Sequence, residues 1–498
     1  MPETSLSTAG LAVGAGWCDR IYILVPGPLM VLSSSVYFVF LVGVFLLYWP
    51  LSRWRAGGLA VLLFANYFFY AKWDLFYLIL IPAASFIDYL IGLGLGASKK
   101  PWARRLLVSC SLLLNLGILA TFKYMPFLLA AWSGATGHKA AEWHWTFPLG
   151  ISFYCFQSLT YTIDLYRNDG KPVRSLLTHM TAVSFFPTTL SGPITRVLAL
   201  APQLEKTGKT LALEESGRAL FRIALGVFKK FLIADYLAEN LVNRVFDTPG
   251  LYTGMETLIG VWAFAFQLYY DFSGYTDIAI GSAMLLGIKL PENFNRPYTA
   301  LNISDFWRRW HISLSNWLRD YLYFSLPGLR SKWKIFTYVN LTITMVLGGL
   351  WHGAAWTFVA WGALHGVALA VHHGFRSARG NPKPSNNAWI RAFSRLLTAN
   401  YVVFCWIFFR ASSFQNARDI LGRIASLTVS FANISTALFA VLAIAAVGHF
   451  SPKKWYDFSL RQFVRVPFYA QAALLALLVL AIEYIAVTGA APFLYTKF

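Results

Sequence analysis

Charge is scarce in this sequence. Asp, Glu, Lys and Arg make up 13% of its 498 residues, about half the share found in a soluble globular domain. So few charges cannot clothe the water-facing surface of a chain this long, which excludes an ordinary array of soluble domains. Disorder is excluded as well. It needs low hydrophobicity and high charge, and here hydrophobic residues are 57% and aromatic residues 17%. Cysteine is scarce too. Cys18, Cys110, Cys155 and Cys405 form no C-x-x-C pair, and three of them lie in apolar runs, which fits neither a disulfide framework nor a zinc site. Acidic residues are outnumbered, 22 against 42 basic ones. The sequence shows no P-loop, dinucleotide fingerprint, G-x-S-x-G elbow, H-E-x-x-H, nucleic-acid motif or internal repeat. Residues 1–29 lack a basic stretch followed by a clear apolar core, so no cleavable signal peptide is expected.

What fills the chain is a series of apolar runs, most long enough to cross about 30 Å of hydrocarbon as a helix. The chain therefore reads as an all-α polytopic protein of the lipid bilayer, with residues 1–29 as an N-terminal extension and 30–498 as the membrane domain. The expected segments are 31–49, 57–71, 75–96, 106–131, 147–166, 176–200, 219–237, 251–272, 274–288, 336–350, 354–373, 398–410, 433–448 and 467–489. Segment 176–200 carries Pro187, Gly192 and Pro193 beside Thr188 and Thr189. Such backbone survives at membrane depth only inside protein or along a wet cavity. The net charge of +20 belongs to short loops, so it is assigned to topology rather than to nucleic acid. Arg53 and Arg55, then Lys99, Lys100, Arg104 and Arg105, then Arg167, Lys171 and Arg174, and the stretches 296–334 and 374–395 are expected in the cytoplasm, with Met30 near the outside.

Ionisable residues concentrate in three texts. The first is 291–323, PENFNRPYTALNISDFWRRWHISLSNWLRDYLY. A helix over 304–321 would place Arg308, His311, Ser315, Asn316 and Arg319 on one face, with Ser304 as N-cap and Asp305 in the first turn. Phe306, Trp310, Leu314, Trp317 and Tyr321 would share the opposite face. An interfacial amphipathic helix with snorkelling arginines explains this geometry, but not a histidine centred on the polar stripe. Facing inward, the stripe could hold the phosphates of a nucleotide-like donor through charge-assisted bonds.

The second text is 341–366, LTITMVLGGLWHGAAWTFVAWGALHG. His352 stands in an uncharged apolar run beside Gly348, Gly349 and Gly353. An ionisable group at membrane depth is functional by default. Burial favours neutral imidazole, which is the form a general base requires. The glycines allow close backbone approach, or a helix break, beside it. A structural histidine bonded to a neighbouring helix is the alternative. His365 and His372 follow on roughly one face, but no carboxylate or cysteine joins them at ligand spacing, so no metal is expected. In the third text, QLYYDFSGYTDIAIG (267–281), Asp271 and Asp277 lie in apolar surroundings and need partners, either the basic stripe or hydrogen bonds across helices.

Together with PLGISFYCFQSLTYTIDLYR (148–167) and FFPTTLSGPITR (185–196), these texts resemble the membrane-bound O-acyltransferase family. They resemble most its bacterial branch, typified by the membrane subunit of alginate O-acetylation. The likeness runs from near Met30 to the C-terminal FLYTKF. Its departures are residues 1–29, the SLPGLRSK stretch where that branch tends to be glycine-rich, and a lysine in the tail.

The resemblance implies a ring of about 11–13 transmembrane and re-entrant helices around a central tunnel. It implies that His352, in the G-L-W-H-G motif, is the catalytic base. His311, in W-H-x-S-L-S, is the second polar position, which orients substrate or assists His352. Arg308, Arg309, Ser315, Asn316, Arg319, Trp351 and Asp271 are the expected substrate-binding residues. The activity implied is acetyl transfer from cytosolic acetyl-CoA, with no permanently bound cofactor, to an extracytoplasmic polysaccharide. It would run through an SGNH-esterase-like partner in the bacterial cytoplasmic (inner) membrane. Two alternatives stay open. One is D-alanyl transfer to teichoic acid from a carrier-protein thioester; the other is a transporter without acyl chemistry.

Overall fold

The computed structural model describes residues 30–485 apart from 73–76, 144, 146–149, 209, 330, 332 and 381–384. The expected extension, 1–29, lies outside the described residues. Among these residues there are helices and turns but no strand, and the chain is an all-α polytopic membrane protein. Four described helices are long and apolar enough to cross a bilayer alone: Leu78–Ala97, Pro101–Thr136, Ile335–His352 and Ala388–Arg410. A fifth span arises if Thr436–Phe450 and Lys453–Arg465, bent by 96°, are taken together. Fewer helices span independently than the apolar runs suggested. Ser35–Leu51 is shorter, and Ile151–Arg167 and Gly254–Leu285 carry many polar groups and are buried in protein over most of their length.

The basic loops gather at one end of the molecule. Arg104 donates to the carbonyls of Leu165 and Tyr166 at 2.8 and 2.9 Å and to Asn168 Oδ1 at 2.8 Å. Arg167 donates to the carbonyl of Asp320 at 2.7 Å, and Lys334 to Ser377 Oγ at 3.0 Å. Arg55 pairs with Glu205, which also accepts from Thr178. Loops distant in sequence thus share one face, as a positive-inside arrangement requires.

Segment 176–200 is broken, as its Pro and Gly content suggested. It forms Leu176–Val183 and the single turn Phe186–Thr189, and then an extended stretch leads into Val197–Glu205. Burying irregular backbone requires partners for its polar groups, and other elements supply them. Phe186 N–H donates to Asn66 Oδ1 at 2.9 Å, Ile194 N–H to Ser313 Oγ at 3.0 Å, and Thr188 Oγ1 to Gln157 Oε1 at 3.2 Å.

The expected segments 251–272 and 274–288 are a single helix, Gly254–Leu285, opened by a capping box between Thr253 and Glu256. Ser273–Gly274 does not interrupt it. A Cβ at Gly274 would lie 2.7 Å from the carbonyl oxygen of Gly226, so this glycine serves a close crossing with the helix Leu213–Phe228.

Glycine has the same use in the hairpin of Ile335–His352 and Trp356–Ala378. A Cβ at Gly362 would fall 2.8 Å from Val346 Cα, and one at Gly366 would fall 2.6 Å from Thr342 Cα. The clash is with backbone, which cannot swing aside. Gly362→Val is therefore expected to cost about 3 kcal/mol or more, the upper end of overpacking. It should show as a lowered unfolding midpoint in detergent, and an unchanged midpoint would contradict this packing.

Candidate active site

The text 291–323 folds in two short helices rather than one. Ile303–Trp307 is capped by Asn302, not Ser304, and the Asn302 Oδ1 accepts from Asp305 N–H at 2.9 Å. The chain then unwinds through Arg308–His311, restarts as Ile312–Trp317, and continues as a π-helical turn at Leu318–Leu322. The break is made by pairing with the NFNR stretch. Asn295 N–H donates to the Arg309 carbonyl, and Ile312 N–H to the Asn293 carbonyl, both at 2.9 Å. Two non-glycine residues are driven into the left-handed region, Arg296 at φ 45° and His311 at φ 42°. Each costs about 1–3 kcal/mol, and such strain persists only where its surroundings over-determine it.

This break separates the expected polar stripe. His311 turns inward and is 0% exposed, while Arg308, Asn316 and Arg319 face outward. Asn293 fixes the inward loop. Its Oδ1 accepts from Ser313 Oγ at 2.6 Å and from Ser313 N–H at 3.2 Å, and lies 3.4 Å from His311 Nδ1.

His352 is the last residue of the helix Ile335–His352 and is 3% exposed. Its ring centroid lies 6.3 Å from that of His311. Trp361 stands edge-on to it at 5.3 Å, and Phe409 lies at 5.4 Å. Phe272 meets His311 edge-on at 4.6 Å. Two imidazoles thus lie near one another among packed aromatic rings, from segments far apart in the chain. On one side these rings form a continuous wall. Tyr321 packs on Trp317 at 5.5 Å, and Trp317 stacks on Phe156 at 3.7 Å and 2°. Phe156 stacks on Trp351 at 5.2 Å, and Trp351 meets His352 at 5.0 Å.

The Tyr321 end of the wall lies among cations. Arg167 and Arg196 sit 5.6 and 5.3 Å from its ring, and Arg196 pairs with Asp320 at 2.5 Å. Arg319 also pairs with Asp320, at 2.7 Å. That hydrogen bond pushes the Arg319 guanidinium further above its ordinary value, so it stays charged. This end of the wall is joined to the basic loops through the bond from Arg167 to the Asp320 carbonyl.

The model of MBOAT, the membrane-bound O-acyltransferase family, matches residues 69–415, a stretch that holds both histidines and the whole aromatic wall. The chain belongs to the membrane-bound O-acyltransferase family. A probable alginate O-acetylase, AlgI, of Azotobacter vinelandii is 38% identical over 436 residues, covering 84% of this chain and 85% of its own. A peptidoglycan O-acetyltransferase of Helicobacter pylori is 35% identical over 388 residues, covering 72% of each. A teichoic acid D-alanyltransferase of Bacillus subtilis is 30% identical over 286 residues, covering 54% of this chain and 70% of its own. The chain is accordingly an O-acyltransferase, which sets aside the transporter without acyl chemistry.

Within this O-acyltransferase the other sequence candidates fall in different places. Trp351 lies between Phe153 and Phe156, at 5.2 Å from each. Arg309 is held by Asp305 at 3.0 Å, and Ser315 Oγ donates to the Trp310 carbonyl at 3.1 Å. Asp271 is paired with a lysine of another element. Lys230 takes it at 2.8 Å, while Asp277 pairs with Arg222 at 3.0 Å and Lys229 at 2.6 Å. These carboxylates bind helix to helix. His365 is enclosed by Trp361, Trp307 and Trp406 at 4.9, 5.2 and 6.2 Å.

Two residues of the site were not singled out from the sequence. Asn293 lies within the NFNRPY text, but its role depends on a pairing that local periodicity does not show. Lys123 donates to the Trp351 carbonyl at 2.6 Å and to the His352 carbonyl at 3.3 Å. Its signal was present: an ammonium inside the apolar run 106–131 is costly and marks function by default.

Proposed function

We propose that this O-acyltransferase carries an acetyl group from cytosolic acetyl-CoA to a hydroxyl of an extracytoplasmic polysaccharide. It would do so in the bacterial inner membrane, together with an esterase-like partner that delivers the group to the polymer. The observation that carries the reading is the pair of buried imidazoles, 6.3 Å apart, at the end of an aromatic wall that begins among Arg167, Arg196 and Arg319. These arginines suit the phosphates of a nucleotide thioester, and a flat apolar wall suits its slender arm. Relatives named for alginate and for peptidoglycan O-acetylation support a glycan hydroxyl as acceptor.

In this mechanism His352 removes the proton from the acceptor hydroxyl. The oxygen bonds to the thioester carbonyl carbon, the C–S bond breaks, and the thiol departs with the proton returned by the imidazolium. His311, held by Asn293, orients the acceptor or meets the tetrahedral oxyanion, where a pre-aimed donor has most effect.

The test is thiol release from acetyl-CoA by the purified protein, with glycans and candidate partners as acceptors. Acceptor-dependent release is expected. Turnover with an acyl-charged carrier protein and none with acetyl-CoA would put D-alanyl transfer in its place. Unchanged polymer acetylation after deletion of the partner would sink the relay.

A further inference from the structure

The long helix Pro101–Thr136 reaches the site through one side chain. At Ala120–Tyr124 it widens into a π-helical turn. Such turns accommodate an inserted residue without ending the helix, and they recur at functional sites. Lys123 projects from this turn. Its ammonium donates to the Trp351 and His352 carbonyls at 2.6 and 3.3 Å and stands 5.8 Å from the Trp351 ring.

Those carbonyls close the helix that carries His352. The last carbonyls of a helix have no partner within it, and they gather the negative end of the helix dipole, where a cation is favourable. Water or a polar cap would ordinarily satisfy them. Here they lie among aromatic rings, and the donor comes from a residue 228 positions away.

A lysine placed only for solubility behaves differently. Lys123 lies about 33 Å along the axis from Pro101, toward the face opposite the basic loops, and a long cationic side chain there normally snorkels to water. This one turns instead to two backbone carbonyls of the G-L-W-H-G turn. His352 is likewise about 26 Å from the start of its own helix, so both partners lie far along their helices from the ends that follow Lys100 and Lys334.

We propose that Lys123 is a positioning residue: by capping the Trp351 and His352 carbonyls it fixes the end of the helix, and with it the aim of the His352 imidazole at the acceptor hydroxyl. The assignment rests on His352 being the base. Removing the ammonium leaves the imidazole present but free to swing by a fraction of an ångström. A misplacement of 1 Å can cost roughly 100-fold in rate, so a loss of at least about tenfold is expected.

The test uses the purified full chain and whichever thioester the wild type consumes. Lys123→Met should lower kcat at least about tenfold while KM for the thioester stays within about twofold, since the arginines of the donor end are untouched. Lys123→Arg, which keeps the charge and donors, should retain at least about a third of wild-type kcat. Lys123→Ala should recover rate with added ethylammonium and not with ethanol, a response that general loosening of the fold would not give.

Wild-type kcat in Lys123→Met overturns the proposal. So does failure of both rescues, by arginine and by ethylammonium. If Lys123→Met does not elute as a folded species, the two rescues decide alone. His352→Ala is measured alongside. If that variant keeps its activity, the reading of the base is what fails. If it is inactive while Lys123→Met is fully active, only the positioning role fails.

Discussion

Alanine in place of His352 is expected to reduce acyl transfer by at least about 100-fold, the lower end of what a positioned general base contributes. The loss should be confined to chemistry. The side chain packs against Trp361 and Phe409, but the fold around it is held by the glycine-lined hairpin and by the Lys123 bonds, which use backbone carbonyls and not the imidazole. His352→Gln sharpens the experiment. Its amide fills much of the same space and hydrogen-bonds, but it cannot take a proton at neutral pH, so it should be as inactive as alanine. Thiol release measured beside size-exclusion elution separates the outcomes. A rate within tenfold of wild type, in protein that elutes normally, would remove His352 from the role of base.

The second large effect concerns stability. Lys230 lies 2.7 Å from Asp235 and 2.8 Å from Asp271, and the three side chains are 2%, 13% and 3% exposed. Methionine at 230 would keep the volume and remove the cation that both carboxylates share. Breaking a buried ion pair from one side costs about 3–5 kcal/mol, because the remaining charge is stranded in a poor solvent. The unfolding midpoint in detergent should fall clearly. Adding Asp271→Asn to Lys230→Met should recover part of the loss, since one stranded charge is then gone. A single variant as stable as wild type would mean that the cluster is not the brace between the 229–235 turn and the helix Gly254–Leu285.

Much of this site was legible before the fold. His352 is recognisable because an imidazole among apolar residues and glycines has few inexpensive explanations. The break in 176–200 is legible because Pro187, Gly192 and Pro193 cannot continue a helix. The 308–319 stripe misled for a definable reason. Helical periodicity assumes an unbroken helix, and nothing local to WRRWHIS announces that Asn293 and Asn295 will draw the chain out of it. The division between 251–272 and 274–288 erred in the opposite sense: Gly274 stays helical where a second backbone needs the room.

What the sequence by itself determined is therefore the solvent, the fold class and which ionisable groups are the candidates for chemistry. A chain with 57% hydrophobic and 13% charged residues must satisfy its backbone internally in lipid, and helices are the way such apolar runs do so. What only the tertiary structure decided is where those candidate groups point. His311 turned inward because Asn293 holds its loop, Asp271 was taken by Lys230, and Lys123 came to close the helix of a histidine 229 residues away. The physical reason is range. Partition into lipid acts on each segment by itself, whereas a hydrogen bond or an ion pair exists only once folding has brought distant partners within about 3 Å.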